Sequence, residues 1–167
     1  MKRLGKRAIS PVIATVIIVA VAIAVAIAVA FWMTGIVGLF TGFEQVQVAY
    51  IYAEWDQTNG QWTISLRATN TGTATATVDE IFVNGIPLGD IAGGGATATA
   101  TITVDGSNYN QNNLVSGGGT GFPLPAGSTA EIEITITPAM GFAHGQSVEV
   151  KIHTVAGKEY PKLVVLP

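Results

Sequence analysis

The sequence predicts an α+β protein, in which one long N-terminal apolar α-helix precedes an all-β sandwich of about seven strands. Two observations support this fold class. Residues 8–43 form a run of 36 residues without an ionisable side chain, in a chain of 167. Residues 44–167 are rich in Thr, Val, Ile and Gly, and their apolar residues alternate with polar ones between turn signals. Such alternation is typical of strands that bury one face.

The charges separate a basic N-terminus from a mildly acidic remainder. Half of the eight basic residues are Lys2, Arg3, Lys6 and Arg7, which leaves four basic side chains against eleven acidic ones. The remainder has no basic patch to neutralise phosphates, so nucleic acid is not an expected partner. Positive charge beside an apolar span stays cytoplasmic, which places the residues after 43 outside the cell. Cysteine is absent, so the chain has no disulfides and no thiolate chemistry.

The predicted helix has recognisable signals near both ends. Ser10 is a good N-cap, and Pro11 at the first helical position loses no hydrogen bond, because that N–H has no partner inside the helix anyway. Near the far end, Gly35, Gly38 and Gly42 are expected to loosen the helix and to provide a pivot into the β domain.

Within the helix, large aliphatic residues alternate with alanine from Val19 to Val29. On a helical surface this alternation becomes two alanine stripes that lie on nearly opposite sides. Small residues at every fourth position let helices approach closely, so two stripes predict neighbours on more than one side. The predicted packing positions are Ala20, Ala24 and Ala28 in one stripe, Ala22, Ala26 and Ala30 in the other, and Val19, Ile23 and Ile27 in the ridges between them.

Three roles compete for this segment. A secretory signal would be cut at an A-x-A site such as Ala28-Val29-Ala30, but the run is too long, and the cut would leave an exposed apolar end. A permanent membrane anchor is allowed by length, with Phe31 and Trp32 at the interface. In the third role, the helix first spans the membrane and later forms the core of a polymer. A helix that is apolar all round lies either in lipid or inside a bundle, and the third role uses both.

The segment KRA-ISPVIATVII, at residues 6–18, resembles the N-terminus of archaeal type IV pilins, whose precursors carry a class III signal peptide. The resemblance implies that prepilin peptidase, a membrane aspartyl protease, removes the leader on the cytoplasmic side. Bacterial type IV pilins usually carry a glutamate five residues into the mature helix, whereas this chain has Ile13 there. The implied cleavage-site residues are Arg7 and Ala8 before the cut and Ile9, Ser10 and Pro11 after it, with a cut between Arg7 and Ala8 as the alternative register.

The resemblance also implies an organisation and a function. The expected parts are a basic leader at 1–8, an apolar helix at 9–43 and an extracellular β domain at 44–167, similar to the immunoglobulin-like outer domains of these pilins. The chain would be a structural subunit of an extracellular adhesion pilus that polymerises through its helix. Expected partners are many copies of itself, the membrane before assembly, prepilin peptidase, the pilus assembly ATPase, the membrane platform protein, and surfaces or other cells. The alternative is a monomeric, membrane-anchored extracellular binding protein.

Within the β domain, alternating runs predict the strands and glycine-rich turns separate them. Trp55, Trp62 and Phe82 are expected in the core, and residues 105–113 are expected to form a polar surface loop rather than a calcium loop. The predicted strands are 46–55, 61–69, 75–83, 96–104, 129–137, 147–155 and 160–166.

No catalytic arrangement is evident in the sequence. His144 and His153, the only histidines, are nine residues apart and match no metal-ligand spacing. Glu131 and Glu133 share one strand face, which fits solvated charges better than an acid–base pair. We therefore expect neither an enzyme nor a bound metal or cofactor.

Overall fold

The structure of the chain, a computed structural model, is described here for residues 11–40 and 42–167. The chain divides into two compact units, of which the second is Gly42–Pro167. Each unit is considered by itself below.

The described part of the first unit is one helix, α1, which runs from Pro11 to Phe40 over 30 residues. Pro11, the predicted first helical residue, is helical, and so is the alternating stretch from Val19 to Val29, as predicted. Helix α1 ends at Phe40, three residues before the predicted boundary at 43, and Gly35 and Gly38 lie inside it. At about 1.5 Å per residue, α1 is about 45 Å long.

The second unit is built from antiparallel strands, and all seven predicted strands are present. Six of them have ends within a residue or two of the prediction. The strand predicted at 96–104 is divided at the buried Ala98 into a short piece and a longer one. The strands are β1 Val46–Asp56, β2 Gln61–Asn70, β3 Ala76–Val83, β4 Ile86–Pro87, β5 Ala92–Gly93, β6 Ala96–Thr97, β7 Thr99–Val104, β8 Ser107–Asn110, β9 Phe122–Leu124, β10 Thr129–Ile136, β11 Ser147–Thr154 and β12 Glu159–Val165.

The described chain therefore has twelve strands rather than about seven, and the additional ones are short. The predicted surface loop at 105–113 contains strand β8, which pairs with β7 through a tight turn at Asp105-Gly106. Both turn residues have positive φ, 47° and 83°. A two-residue turn of this kind joins hairpin strands, and Asp-Gly is one of its strongest sequence signals. Residues 105–113 are at the surface as predicted, but they are not all loop. Strand β8 was not predicted because its polar residues lack an apolar alternation.

The strands form two five-stranded sheets that pack face to face around one core. The first sheet has the order β1-β2-β10-β7-β8. The second has the order β12-β11-β3-β4, with β9 also paired to β3. Strands β5 and β6 form a separate small hairpin. The sandwich predicted from the alternating runs is confirmed, and each sheet presents one face to the core and one to solvent.

The core contains inward-facing side chains of both sheets, among them the fully buried Trp62, Ile64, Ile81 and Phe122. Trp62 confirms its prediction, and Trp55 is half-buried against the same core. The prediction for Phe82 was wrong. Its neighbours Ile81 and Val83 point inward, so the alternation of the strand turns Phe82 to the outer face of the second sheet, where the Lys151 ammonium lies 4.8 Å from its ring centroid.

Candidate assembly surface

The surface of α1 is apolar on every side. Within the described helix, fifteen large apolar side chains are 48–76% exposed, and no acidic or basic residue interrupts them. The β unit contrasts with this, since its large apolar residues are mostly buried between the sheets. Monomeric soluble proteins rarely expose contiguous apolar patches of this extent. The helix surface is therefore the strongest candidate for a functional interface in the described chain.

Three of the six predicted alanine positions, Ala20, Ala22 and Ala26, line two apolar concavities on the helix surface. One is lined by Val16, Val19, Ala20 and Ile23 among others. The second is lined by residues that include Ala22 and Ala26. At about 100° per residue, Ala20 and Ala22 lie about 160° apart around the axis. The concavities form where a methyl group stands between larger neighbours, which is the shape that receives a ridge of a second helix. Packing at these stripes stays a prediction.

The hydroxyl groups of α1 are satisfied within the helix. The Thr15 Oγ1 donates to the Val12 carbonyl oxygen over 2.9 Å, and the Thr34 Oγ1 donates to the Ala30 carbonyl oxygen over 2.7 Å. Such back-bonding removes the need for water at these positions. By length and composition, the stretch Pro11–Gly38 is able to cross a membrane, and it is the one such helix among the described residues.

The predicted cleavage site and the predicted glycine pivot lie only partly within the described residues or elements. Of the cleavage-site residues, Pro11 is the first residue of α1, whereas Arg7, Ala8, Ile9 and Ser10 lie outside the described residues. Gly35 and Gly38 lie within the last two turns of α1, and Gly42 is the first residue of the β unit. A pivot at these glycines stays a prediction.

The first residues of the β unit are held by two of its turns. The amides of Thr73 and Ala74 donate to the Phe43 carbonyl oxygen, over 2.9 and 3.0 Å, and the Thr71 amide donates to the Gln45 carbonyl oxygen over 2.7 Å. From the other side, the Thr154 hydroxyl donates to the Glu44 carboxylate over 2.5 Å. We call this arrangement of residues 43–45 between turns 71–74 and 154–158 the N-terminal clasp.

Gly72 is required for the N-terminal clasp by close approach rather than by backbone angle. A Cβ at this position would lie 2.5 Å from the Phe43 carbonyl oxygen and 2.6 Å from the Gln45 nitrogen. Both are backbone atoms, so neither is free to rotate away. By itself, the sequence Asn70-Thr71-Gly72 predicts only a turn. The contact joins residues about 28 positions apart, so no local signal could have revealed it.

The two histidines, His144 and His153, each contact neighbouring side chains of the β unit. The His144 ring packs against Trp55 and Trp62, with centroids 4.5 and 4.8 Å away. The His153 Nδ1 is 2.6 Å from an Asp79 carboxylate oxygen on the outer face of the second sheet. No cluster of three His, Cys, Asp or Glu side chains is placed to hold a metal ion in the part of the chain that the structure describes.

The clearest pKa shifts belong to exposed pairs and a turn. A hydrogen bond from Lys151, over 2.8 Å, lowers the pKa of the Glu159 carboxyl. The hydrogen bond from Asn59 lowers the pKa of Asp56 in the turn after β1. The Glu131 carboxylate accepts a hydrogen bond from Arg67, which raises the pKa of the Arg67 guanidinium. These shifts favour the charged forms, and none of them prepares a reactive group.

One buried carboxylate was missed by the sequence analysis. Glu80, only 7% exposed, accepts from the Ser116 amide over 2.7 Å and from the Ser116 hydroxyl over 3.0 Å. These bonds attach the segment Val115–Gly117, a short 3₁₀ turn, to strand β3. A lone glutamate in a strand is typical of a solvated position, so its burial follows only from the way the loop folds over it.

No protein-family model matches the chain, and no curated protein matches it. Among solved structures, it is similar to the archaellum periplasmic stator protein FlaG from Sulfolobus acidocaldarius, at 17% identity over 72% of this chain and 99% of that chain, with a TM-score of 0.39. It is similar to the Iho670 flagellar-like filament at 18% identity over 94% of this chain and 98% of that chain, with a TM-score of 0.38. The archaeal flagellum of Methanospirillum hungatei strain JF1 is 16% identical over 93% of this chain and 88% of that chain, with a TM-score of 0.40. The likeness is distant, so function has to be argued from the residues of this chain.

Proposed function

We propose that this protein is the structural subunit of an extracellular filament and that it polymerises through helix α1. The observation that supports the proposal is the exposed apolar surface of the helix, which surrounds Pro11–Phe40 without a polar face. Burying a large apolar side chain is worth about 1.5–3 kcal/mol, so the fifteen exposed ones amount to tens of kcal/mol per subunit. A subunit outside the membrane has to cover that surface with other copies of the same helix.

The second candidate, a monomeric membrane-anchored binding protein, is supported by the ability of Pro11–Gly38 to cross a membrane. Length favours the filament. The hydrocarbon core of a bilayer is about 30 Å thick, whereas a helix of 30 residues is about 45 Å long. A lone anchor has no use for the excess or for two alanine stripes. A helix that leaves the membrane to join a bundle uses both.

The filament we propose is an archaeal type IV pilus that adheres to surfaces or other cells. This rests on the resemblance of residues 6–18 to the N-terminus of such pilins. In this proposal the precursor lies in the cytoplasmic membrane until prepilin peptidase removes the leader. The assembly ATPase and platform protein then add the subunit to the filament. The chain is neither an enzyme nor a cofactor-binding protein in this proposal.

The processing step has a direct test. The mature N-terminus is expected at Ile9, or at Ala8 in the alternative register, because the cut has to lie where the charges end and the apolar helix begins. Peptide mass spectrometry of subunits from purified filaments measures it. Assembled subunits that retain Met1 would contradict the processing step, and subunits that begin at Phe31 would indicate ordinary secretion.

The assembly step is tested by filling the alanine stripes. Ala24→Leu and Ala26→Leu together add bulk on both sides of the helix, and overpacking a tight core costs about 1–3 kcal/mol per site. We expect filaments to be lost from the cell surface in electron micrographs while the chain still enters the membrane fraction. Ala24→Ser with Ala26→Ser is the matched control, because it keeps both side chains small and should keep filaments. A lone anchor would be indifferent to leucine, so normal filaments in the leucine variant would refute helix packing at the stripes.

A further inference from the structure

The outer face of the first sheet is a continuous polar surface whose side chains align in rows across the strands. In one row, Tyr50 is paired with Arg67, Arg67 with Glu131, Glu131 with Thr103 and Thr103 with Asn108. The next row begins at Tyr52 and continues through Ser65, Glu133, Thr101 and Asn110. Adjacent strands are about 4.8 Å apart, so each row extends for about 19 Å.

Two tyrosines form an aromatic platform at the β1 edge of this face. Tyr50 and Tyr52 are 41% and 47% exposed, and their ring centroids are 5.8 Å apart with an interplanar angle of 30°. The Arg67 guanidinium lies over one face of the Tyr50 ring, 5.3 Å from its centroid, and is itself paired with Glu131, so the Tyr50 ring has a fixed neighbour on that face. Exposed aromatic rings of similar orientation offer a stacking surface for a flat ligand.

Beside the platform lies a shallow depression with hydrogen-bonding walls. It is lined by Arg67, Thr103, Asp105, Gly106, Thr129 and Glu131. The guanidinium there donates hydrogen bonds, the carboxylates accept them, and the threonine hydroxyls do both. The depression is open, so it suits one segment of an extended chain better than an enclosed small molecule. Such a mixture of donors and acceptors matches a ligand rich in hydroxyl groups.

The charges of the face exclude an anionic ligand. Arg67 is the one basic residue in the five described strands of this sheet, and Glu131 already neutralises it. Glu54 and Glu133 leave the face acidic. An anionic polymer would be repelled, and a neutral one would meet no charge barrier.

We propose that this face binds a neutral polysaccharide of equatorially linked pyranose units, with the Tyr50 and Tyr52 rings stacked on the C–H faces of two sugars. The polar rows then accept and donate hydrogen bonds to the sugar hydroxyls. Flat, equatorially linked chains present alternating apolar C–H faces and hydroxyl edges, which this combination of rings and polar rows complements. The proposal concerns the β unit alone and does not depend on assembly through α1.

The test is co-sedimentation of the full-length chain, solubilised in detergent, with particles of cellulose, chitin or β-1,4-linked mannan, and with immobilised alginate as the anionic probe. We expect retention on at least one neutral polysaccharide and little on alginate. Tyr50→Ala with Tyr52→Ala should lower retention about tenfold, since two stacking contacts are removed. Tyr50→Phe with Tyr52→Phe keeps the rings and should keep most of the retention.

The matched control is Phe82→Ala, which removes an aromatic ring from the outer face of the other sheet, where it also has a cationic neighbour. It should not change retention. Thermal unfolding of each variant checks that the β unit is folded, and if the double variant does not fold, Tyr52→Ala alone replaces it.

Three outcomes would overturn the proposal. They are no retention on any of the three neutral probes, equal loss in the tyrosine and Phe82 variants, and stronger retention on alginate. If the tyrosine variant instead changes the particle mass in light scattering and leaves retention unaltered, the face is a contact between copies of this chain, and the proposal is also wrong.

Discussion

The two units of this chain treat apolar residues in opposite ways. In the β unit, apolar residues alternate with polar ones, and the apolar set is buried between two sheets, as for Ile64 and Ile132 at 0% and 1% exposure. In α1 there is no alternation of polarity, and residues such as Ile13 and Ile23 remain 54% and 55% exposed. The same residue type is therefore inside one unit and outside the other.

This difference in burial separates a unit that has its own hydrophobic core from one that does not. The β unit contains both faces of its own core, so its hydrophobic stabilisation is internal. The helix contains only one side of a core, and lipid or other helices have to supply the rest. The proposed function therefore assigns stability to the sandwich and association to the helix.

Separating the units should have the largest effect. We expect the fragment 42–167 to be a soluble, folded monomer that never polymerises, because it keeps its core and the N-terminal clasp and loses the apolar helix. Circular dichroism, light scattering and electron microscopy measure fold, mass and assembly. Filaments formed by this fragment alone would show that assembly uses the β unit, and the role proposed for α1 would fail.

The same substitution in the two units gives the next largest contrast. Ile64→Ala removes a fully buried side chain and should lower the free energy of unfolding of the β unit by about 2–5 kcal/mol. Ile23→Ala in α1 should leave that free energy unchanged, because its side chain is outside the sandwich. Denaturant titration of the full chain in detergent, followed by near-UV circular dichroism, compares the two. Equal destabilisation by both variants would mean that the units do not fold independently.

The smallest expected effect concerns the N-terminal clasp. Gly72→Ala would place a methyl group against the backbone of residues 43–45, and relieving such overlap costs about 1–3 kcal/mol. Gly42→Ala is the matched control, because a Cβ there meets nothing within 4 Å. We expect the melting temperature to fall for Gly72→Ala and to remain unchanged for Gly42→Ala. Identical melting temperatures for Gly72→Ala and the unaltered chain would show that the clasp tolerates movement.

Local patterns were sufficient for most of the secondary structure. The Ser-Pro signal and the charge boundary located the start of α1 at Pro11, and alternation located the seven main strands. These features depend on neighbours a few residues apart, which is the range over which helix caps and strand faces are specified. The short strands were missed because a segment of two to four residues is too short to show an alternation.

Composition and period along the chain were enough to predict one segment that is apolar on all sides and another that builds a sandwich, because they decide which surfaces avoid water. The contacts between distant residues became visible in the folded chain alone. The fold turned Phe82 outward, buried Glu80 under Ser116, brought Gly72 against residue 43 and aligned the rows that begin at Tyr50 and Tyr52. These contacts depend on strand order and register, and many orders are compatible with the same alternation, so pairing of remote strands cannot be read from local pattern.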